Sequence, residues 1–194
     1  MRNIGLLVRR ELRAYFDTSW GWSILVLVLV LDGLLFNAFA LGARERLSTN
    51  VLSDFFYFSS GTTMIAGVLL TMRLIAEERQ TGTFILLQTA PITDAEVVLG
   101  KFFGAFSFLS IITALSAYMP ALIFVNGRVS IEQILVGYLG LFSLGAATIA
   151  VGTFASAIAR NQLLAAVIAA CLMVFLLLGW LLGQVIEAPL SGIF

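Results

Sequence analysis

The chain has 194 residues, of which 60% are hydrophobic and 11% are charged, whereas a soluble domain is about half apolar and about a quarter charged. The 11 basic and 11 acidic residues balance, so no net charge draws the protein toward nucleic acid. The chain has no histidine, and its single cysteine, Cys171, lies in an apolar run. These absences exclude a disulfide framework, a cysteine-based zinc site and triad-type hydrolysis within one chain. We therefore expect an integral membrane protein with no catalytic, cofactor or metal site and no nucleic-acid partner.

The N-terminal segment before Trp20 predicts an amphipathic helix at the membrane interface. Apolar side chains recur there at helical spacing and arginines occupy the other face, which suits contact with anionic headgroups: Ile4, Leu7, Val8, Leu12 and Tyr15 against Arg9, Arg10 and Arg13. The alternative is a signal peptide cleaved near Ala38-Phe39-Ala40. The apolar run that follows is longer than the roughly 7–15 residues of a signal sequence, which disfavours this alternative.

Five apolar runs follow, each long enough to cross the hydrocarbon core as a helix: Trp20–Leu41, Phe55–Ala76, Val97–Val125, Ile134–Ile158 and Leu163–Val185. The third run is overlong, and we expect Pro120 to kink or end its helix. The runs are continuous rather than alternating with period two, which excludes a sheet. The sequence therefore predicts an all-α, polytopic transmembrane bundle with one domain over residues 1–194.

The basic residues favour a cytoplasmic N-terminus, because short cytoplasmic loops are enriched in lysine and arginine. With that orientation the inner segments hold eight basic residues and the outer segments hold three. The inner set is Arg2, Arg9, Arg10, Arg13, Arg73, Arg79, Lys101 and Arg160, and the outer set is Arg44, Arg46 and Arg128. Five spans then place residues 187–194 outside.

The loop between the second and third runs, residues 77–96, carries the most information. We expect Gly82 to end the second helix, and Thr93 with Glu96 to form a capping box that opens the third. Between them an apolar cluster stops at Pro91: Phe84, Leu86 and Leu87. A short helix here would present an apolar face either to a partner protein or to the lipid interface. The residues alone leave both open.

These residues resemble a known signature: Glu78-Arg79, Gly82-Thr83-Phe84, Leu86-Leu87, Pro91-Ile92 and Gly100-Lys101. The order and spacing are similar to those of permease subunits of type-2 ABC exporters, and most similar to the gliding-motility and copper-enzyme-maturation permeases. The N-terminal helix, the short outer loops and the span spacing match as well. One departure is Ile85, which stands where the family often has a carboxylate.

The resemblance implies that Thr83–Thr89 is a coupling helix that docks on a dimeric cytoplasmic ABC ATPase. The implied coupling residues are Glu77, Glu78, Arg79, Gly82, Thr83, Phe84, Leu86, Leu87 and Pro91. It also implies a second permease subunit, identical or homologous, and export across a bacterial cytoplasmic (inner) membrane. Because the family normally has six spans, we expect the sequence to be a fragment that lacks the sixth.

The chain carries no ATP site of its own. Gly100-Lys101 is the nearest approach to a phosphate-binding loop, but Ala95 replaces the upstream glycine and Phe102 replaces the following Ser/Thr. We therefore expect no enzymatic activity in this subunit and ATP hydrolysis in a partner. The alternative function is a non-transporting membrane anchor or mechanotransmission component of an envelope or motility assembly, docked by the same type of ATPase. An intramembrane enzyme ranks well behind both.

Asp32 lies in the middle of the first run, where a carboxylate costs about 3 kcal/mol to insert. It is a candidate pathway or interface residue, and Asn37 could extend the same polar stripe. The alternative is a hydrogen bond to a neighbouring span, at the cluster Ser59, Ser60, Thr62 and Thr63.

Two glycine pairs, Gly100/Gly104 and Gly179/Gly183, have the spacing of close helix packing. We expect most of this packing to occur within the monomer. To Arg73 we assign only a role in topology.

Overall fold

A computed structural model of the protein describes residues 2–41, 48–83, 92–126 and 130–185. Every element within these ranges is helical, which confirms the predicted fold class. The helices are α1 (Arg2–Asp17), α2 (Ser19–Leu35) with a π-helical continuation (Phe36–Leu41), α3 (Ser48–Thr71), α4 (Ala76–Thr81), α5 (Asp94–Leu115), α6 (Tyr118–Asn126), α7 (Ile131–Ile158) and α8 (Gln162–Val185).

Five helical stretches in the described ranges are long and apolar enough to cross a membrane, as the sequence predicted. They are Ser19–Ala38, Asn50–Thr81, Asp94–Leu122, Ile131–Ile158 and Gln162–Gly183. The second stretch contains α3 and α4, and the third runs from α5 into α6. The arginine-rich α1 is separate from these spans.

The third span is broken where the sequence placed a kink. α5 ends at Leu115, α6 begins at Tyr118, and Pro120 lies in the first turn of α6. Proline has no N–H and its ring clashes with the carbonyl four residues before it, so a continuous helix through Ser116 is disfavoured. The N–H of Met119 instead donates to the Ser116 carbonyl at 3.1 Å, which closes a tighter turn.

The core lies where four helices meet. Ile24 of α2, Leu70 of α3, Phe108 of α5 and Ile149 of α7 are each at most 2% exposed and belong to one cluster. α3 and α7 approach closely because small residues face each other. A Cβ added to Gly67 would lie 2.5 Å from Cγ2 of Thr148, so the glycine is required for this helix contact.

Candidate functional site

α1 packs on the first turns of α5 through the glycine pair that the sequence singled out. A Cβ added to Gly100 would lie 2.5 Å from Cβ of Leu7, and one added to Gly104 would lie 2.6 Å from Cβ of Glu11. This pair therefore serves packing within the subunit.

The predicted faces of α1 are confirmed: its apolar face is buried or half-buried, and the three arginines, Arg9, Arg10 and Arg13, are exposed. In the described structure this apolar face packs on α5 and on the end of α3.

Tyr15 joins α1 to the end of α3. Its hydroxyl donates to the carbonyl of Leu70 at 3.1 Å, and its ring stacks on Phe108 with 4.9 Å between the centroids. Burial raises the pKa of Tyr15 well above its usual range, because a phenolate loses its hydration there. The side chain therefore remains a neutral hydrogen-bond donor at physiological pH.

The second span is interrupted between Thr71 and Ala76, a break that the sequence did not predict. The N–H groups of Ile75 and Ala76, at the start of α4, both donate to Oγ of Ser156, at 3.0 and 3.1 Å. Ser156 lies on α7 and is fully buried. It thus provides, from another helix, the acceptor that the first N–H groups of a helix lack.

α4 ends as predicted, at a glycine. Gly82 has φ 74°, in the left-handed region that favours glycine, and its N–H donates to the carbonyl of Arg79 at 3.3 Å. At the other end of α4, Nε of Arg73 donates to Oε2 of Glu77 at 2.7 Å, and the guanidinium carbon lies 5.5 Å from the ring centroid of Trp20. Arg73 therefore has structural partners besides the topological role that the sequence suggested.

Lys101 is the centre of an ionic cluster that joins α1, α4 and α5. Its Nζ donates to Oε1 of Glu78 at 2.8 Å and to Oε1 of Glu11 at 3.3 Å, and its side chain is only 2% exposed. Arg10 lies at the exposed rim of the cluster, with Nη2 at 2.7 Å from Oε1 of Glu11. Among the described residues, the buried Oε2 of Glu78 has no hydrogen-bond partner. Two carboxylates thus converge on one buried ammonium group.

The structure places the described part of the predicted coupling loop beside this cluster. Glu77 and Glu78 lie in the first turn of α4 and are paired as above, and Arg79 is exposed. Gly82 and Thr83 follow α4, where Oγ1 of Thr83 lies 2.9 Å from Oγ1 of Thr81. The remaining predicted coupling residues lie outside the described residues: Phe84, Leu86, Leu87 and Pro91.

The start of α5 confirms the predicted capping box. The N–H of Glu96 donates to Oγ1 of Thr93 at 3.3 Å, and the N–H of Thr93 donates to Oε2 of Glu96 at 3.2 Å. Asp94 and Glu96 add negative charge at the positive end of the helix dipole. The chain therefore enters α5 along a defined path.

Asp32 makes its contacts inside the subunit. It is 5% exposed, and its Oδ1 accepts hydrogen bonds from Oγ1 of Thr62 at 2.5 Å and from Oγ of Ser59 at 3.5 Å. These are two of the four partners that the sequence suggested. Asn37 lies in the π-helical continuation and is exposed, so it does not share this buried polar contact.

Sequence reasoning missed the roles of Glu11, Lys101 and Ser156. Two signals were present in the sequence. Lys101 is a cation in the third turn of an apolar helix, where the membrane disfavours it without acidic partners. Glu11 is the only acid among the basic residues of α1 before Asp17. No comparable signal marked Ser156, because serine is common in membrane helices.

A family model described as ABC-2 family transporter protein matches residues 7–192, nearly the whole chain. No match to a curated protein is found. The match spans most of α1, residues 77–96 and all five candidate spans, which agrees with the resemblance to permease subunits of type-2 ABC transporters. The chain belongs to the ABC-2 transporter family and is a multi-pass membrane permease of an ABC transporter.

Proposed function

We propose that this permease forms the translocation pathway of an exporter as a dimer, and that a separate cytoplasmic ATPase drives it through residues 77–92. The observation that carries the proposal is the anchoring of this segment at both ends. Lys101 and Ser156 hold α4, which forms its first part, and the capping box at Thr93 holds the start of α5 directly after it. Because both ends contact spanning helices, a displacement of residues 77–92 is passed on to α5 and, through Ser156, to α7.

The proposed orientation places the N-terminus and this segment in the cytoplasm of a bacterial inner membrane. α1 and α4 lie at the same end of the bundle, since Glu11 and Glu78 contact the same lysine. That end carries the exposed arginines of α1, and the excess of basic residues favours the cytoplasmic side. Within the family we place the chain with the gliding-motility and copper-enzyme-maturation permeases, on the loop residues quoted above.

We place the contact with the second permease subunit on α8. Among the candidate spans in the described ranges, α8 is the least covered by the rest of the protein, since only 17% of its most apolar part is buried. Gly179 faces open space: no described atom lies within 4 Å of a Cβ built there. A glycine with no packing partner among the described residues allows the close approach of another helix.

Cysteine cross-linking tests this interface. In a Cys171→Ser background, Gly179→Cys is expected to form a disulfide-linked dimer in native membranes. Val174→Cys is the matched control, because Val174 is also exposed on α8 but points about 140° away around the helix. Equal cross-linking of both variants, or of Val174→Cys alone, would contradict the proposed interface.

Docking of the ATPase is tested by adding a charge to the apolar cluster. Phe84→Asp and Leu87→Asp are expected to abolish co-purification of the ABC ATPase subunit while insertion into the membrane stays normal, because a carboxylate disfavours burial in an apolar groove. Gln88→Asp is the control, since it adds the same charge to the same segment at a polar position. If all three variants retain the ATPase, residues 83–89 do not form the docking site.

Transport itself requires a separate measurement. Vesicles reconstituted with the permease and its ATPase are expected to move a substrate across the bilayer in an ATP-dependent manner. An ATPase that binds and turns over while no candidate substrate crosses would favour the non-transporting anchor over the exporter.

A further inference from the structure

The buried ionic cluster around Lys101 suggests how a displacement of α4 reaches the rest of the bundle. Lys101 belongs to a spanning helix, yet its ammonium group contacts carboxylates from two elements outside that helix, Glu78 on α4 and Glu11 on α1. A buried charge is tolerated only when it is well paired, so loss of either the cation or its nearest acid is strongly disfavoured. The three elements are therefore held at one mutual position.

The contacts of α1 and α4 with α5 differ in kind. α1 is held on α5 by close packing along its length, at Gly100 and Gly104 as well as at Tyr15 against Phe108. α4 has only 6 residues, too few for a helix to be stable by itself. Its polar links to the bundle include Lys101–Glu78, the ion pair of Arg73 with Glu77, the rim contact of Arg10 with Glu78 at 3.5 Å, and the bonds to Ser156. The exposed rim contact contributes little.

We propose that Lys101 is a positioning residue that ties α4 to α1 and α5, so that these three elements move as one body when the ATPase displaces residues 77–92. The inference rests on the proposed function for the source of the displacement. Lys101 links the three elements because its ammonium group is the shared partner of the carboxylates on α1 and α4. Arg10 approaches both carboxylates, but it is exposed and more distant from Glu78.

Spin-label distances between α1 and α4 test this proposal. Cysteines that carry the labels replace Ala14 on α1 and Gln80 on α4, both exposed, in a Cys171→Ser background. Distances between the labels are measured in the permease alone and in its complex with the ATPase. The complex is measured before and after trapping with ATP and vanadate. In the otherwise unchanged protein we expect one narrow distribution that trapping does not shift. In Lys101→Met we expect a broadened distribution that trapping shifts by more than the original width.

Three further variants separate positioning from general destabilisation. Lys101→Arg keeps the charge and is expected to restore the narrow distribution. Glu78→Gln, which removes only the acid on α4, is expected to behave like Lys101→Met. Glu11→Gln is expected to behave like the unchanged protein, because packing on the glycines still holds α1. The proposal is overturned if Glu78→Gln and Glu11→Gln change the distance distribution to the same extent. It is also overturned if trapping shifts the distribution while Lys101, Glu78 and Glu11 are all unchanged.

The design also distinguishes failure of this inference from failure of the proposed function. If no ATPase co-purifies with the unchanged permease, the proposed function fails, whereas the distributions in the permease alone still decide whether Lys101 fixes α4 to α1. If the ATPase binds and trapping moves α4 relative to α1 in the unchanged protein, the proposed docking stands and the role of Lys101 is refuted.

Discussion

Ser156→Ala is the substitution whose cost can be worked out most directly from the structure. The hydroxyl accepts two backbone hydrogen bonds, from Ile75 and Ala76, in a fully buried site. Alanine leaves both N–H groups without this acceptor, and each buried donor left without a partner costs about 1–3 kcal/mol. We therefore expect a loss of about 2–6 kcal/mol in the free energy of unfolding. At the lower limit this corresponds to a melting temperature lower by about 4 °C or more.

Hydrogen exchange measured by mass spectrometry locates the effect. Peptides that cover residues 72–81 are expected to exchange at least about 30-fold faster in Ser156→Ala, since opening of α4 becomes easier by about 2–6 kcal/mol. Ser107→Ala is the matched control on α5, where the hydroxyl donates to the carbonyl of Phe103 in its own helix at 2.7 Å. Its effect should stay within about 0.5 kcal/mol. Equal exchange and equal melting temperatures in the two variants would refute the capping role of Ser156.

Three other substitutions test single features of the structure. Thr93→Ala should lower stability by about 1 kcal/mol through loss of the capping box, measured as a lower melting temperature, and an unchanged value would contradict that role. Gly104→Val should displace α1 and release the N-terminal residues to proteolysis, whereas Gly140→Ala, with no described neighbour within 4 Å of its Cβ, should not. Asp32→Asn should fold normally because an amide oxygen still accepts from Thr62; lost transport with normal folding would assign Asp32 to the pathway.

Most of the architecture could be predicted from the sequence because the membrane restricts the choice. A continuous apolar run in lipid must satisfy its own backbone hydrogen bonds, so it forms a helix. The capping box at Thr93 and the end of α4 at Gly82 were also predictable, since both depend on residues a few positions apart. The break in the third span was predictable from Pro120, because a proline disrupts the helix at its own position in the sequence.

The break between Thr71 and Ala76 was not predictable, because its polar partner lies about 80 residues away in the chain. Ser156 has no sequence feature that distinguishes it from other serines in membrane helices. The roles of Glu11 and Lys101 likewise depend on the approach of α1 to α5, which the glycine pair permits but does not specify. The contacts of Asp32 were partly predictable from the sequence, since Ser59 and Thr62, which donate hydrogen bonds to it, were among the four partners suggested.

By itself, the sequence determined the helical membrane fold, the five spans and the position of the loop that relates the chain to its family, because these features follow from local hydrophobicity and local backbone chemistry. The tertiary structure alone decided which elements hold that loop in place. Buried charges and buried N–H groups must find partners wherever the packing brings them, and the partners of Lys101 and of α4 come from distant parts of the chain.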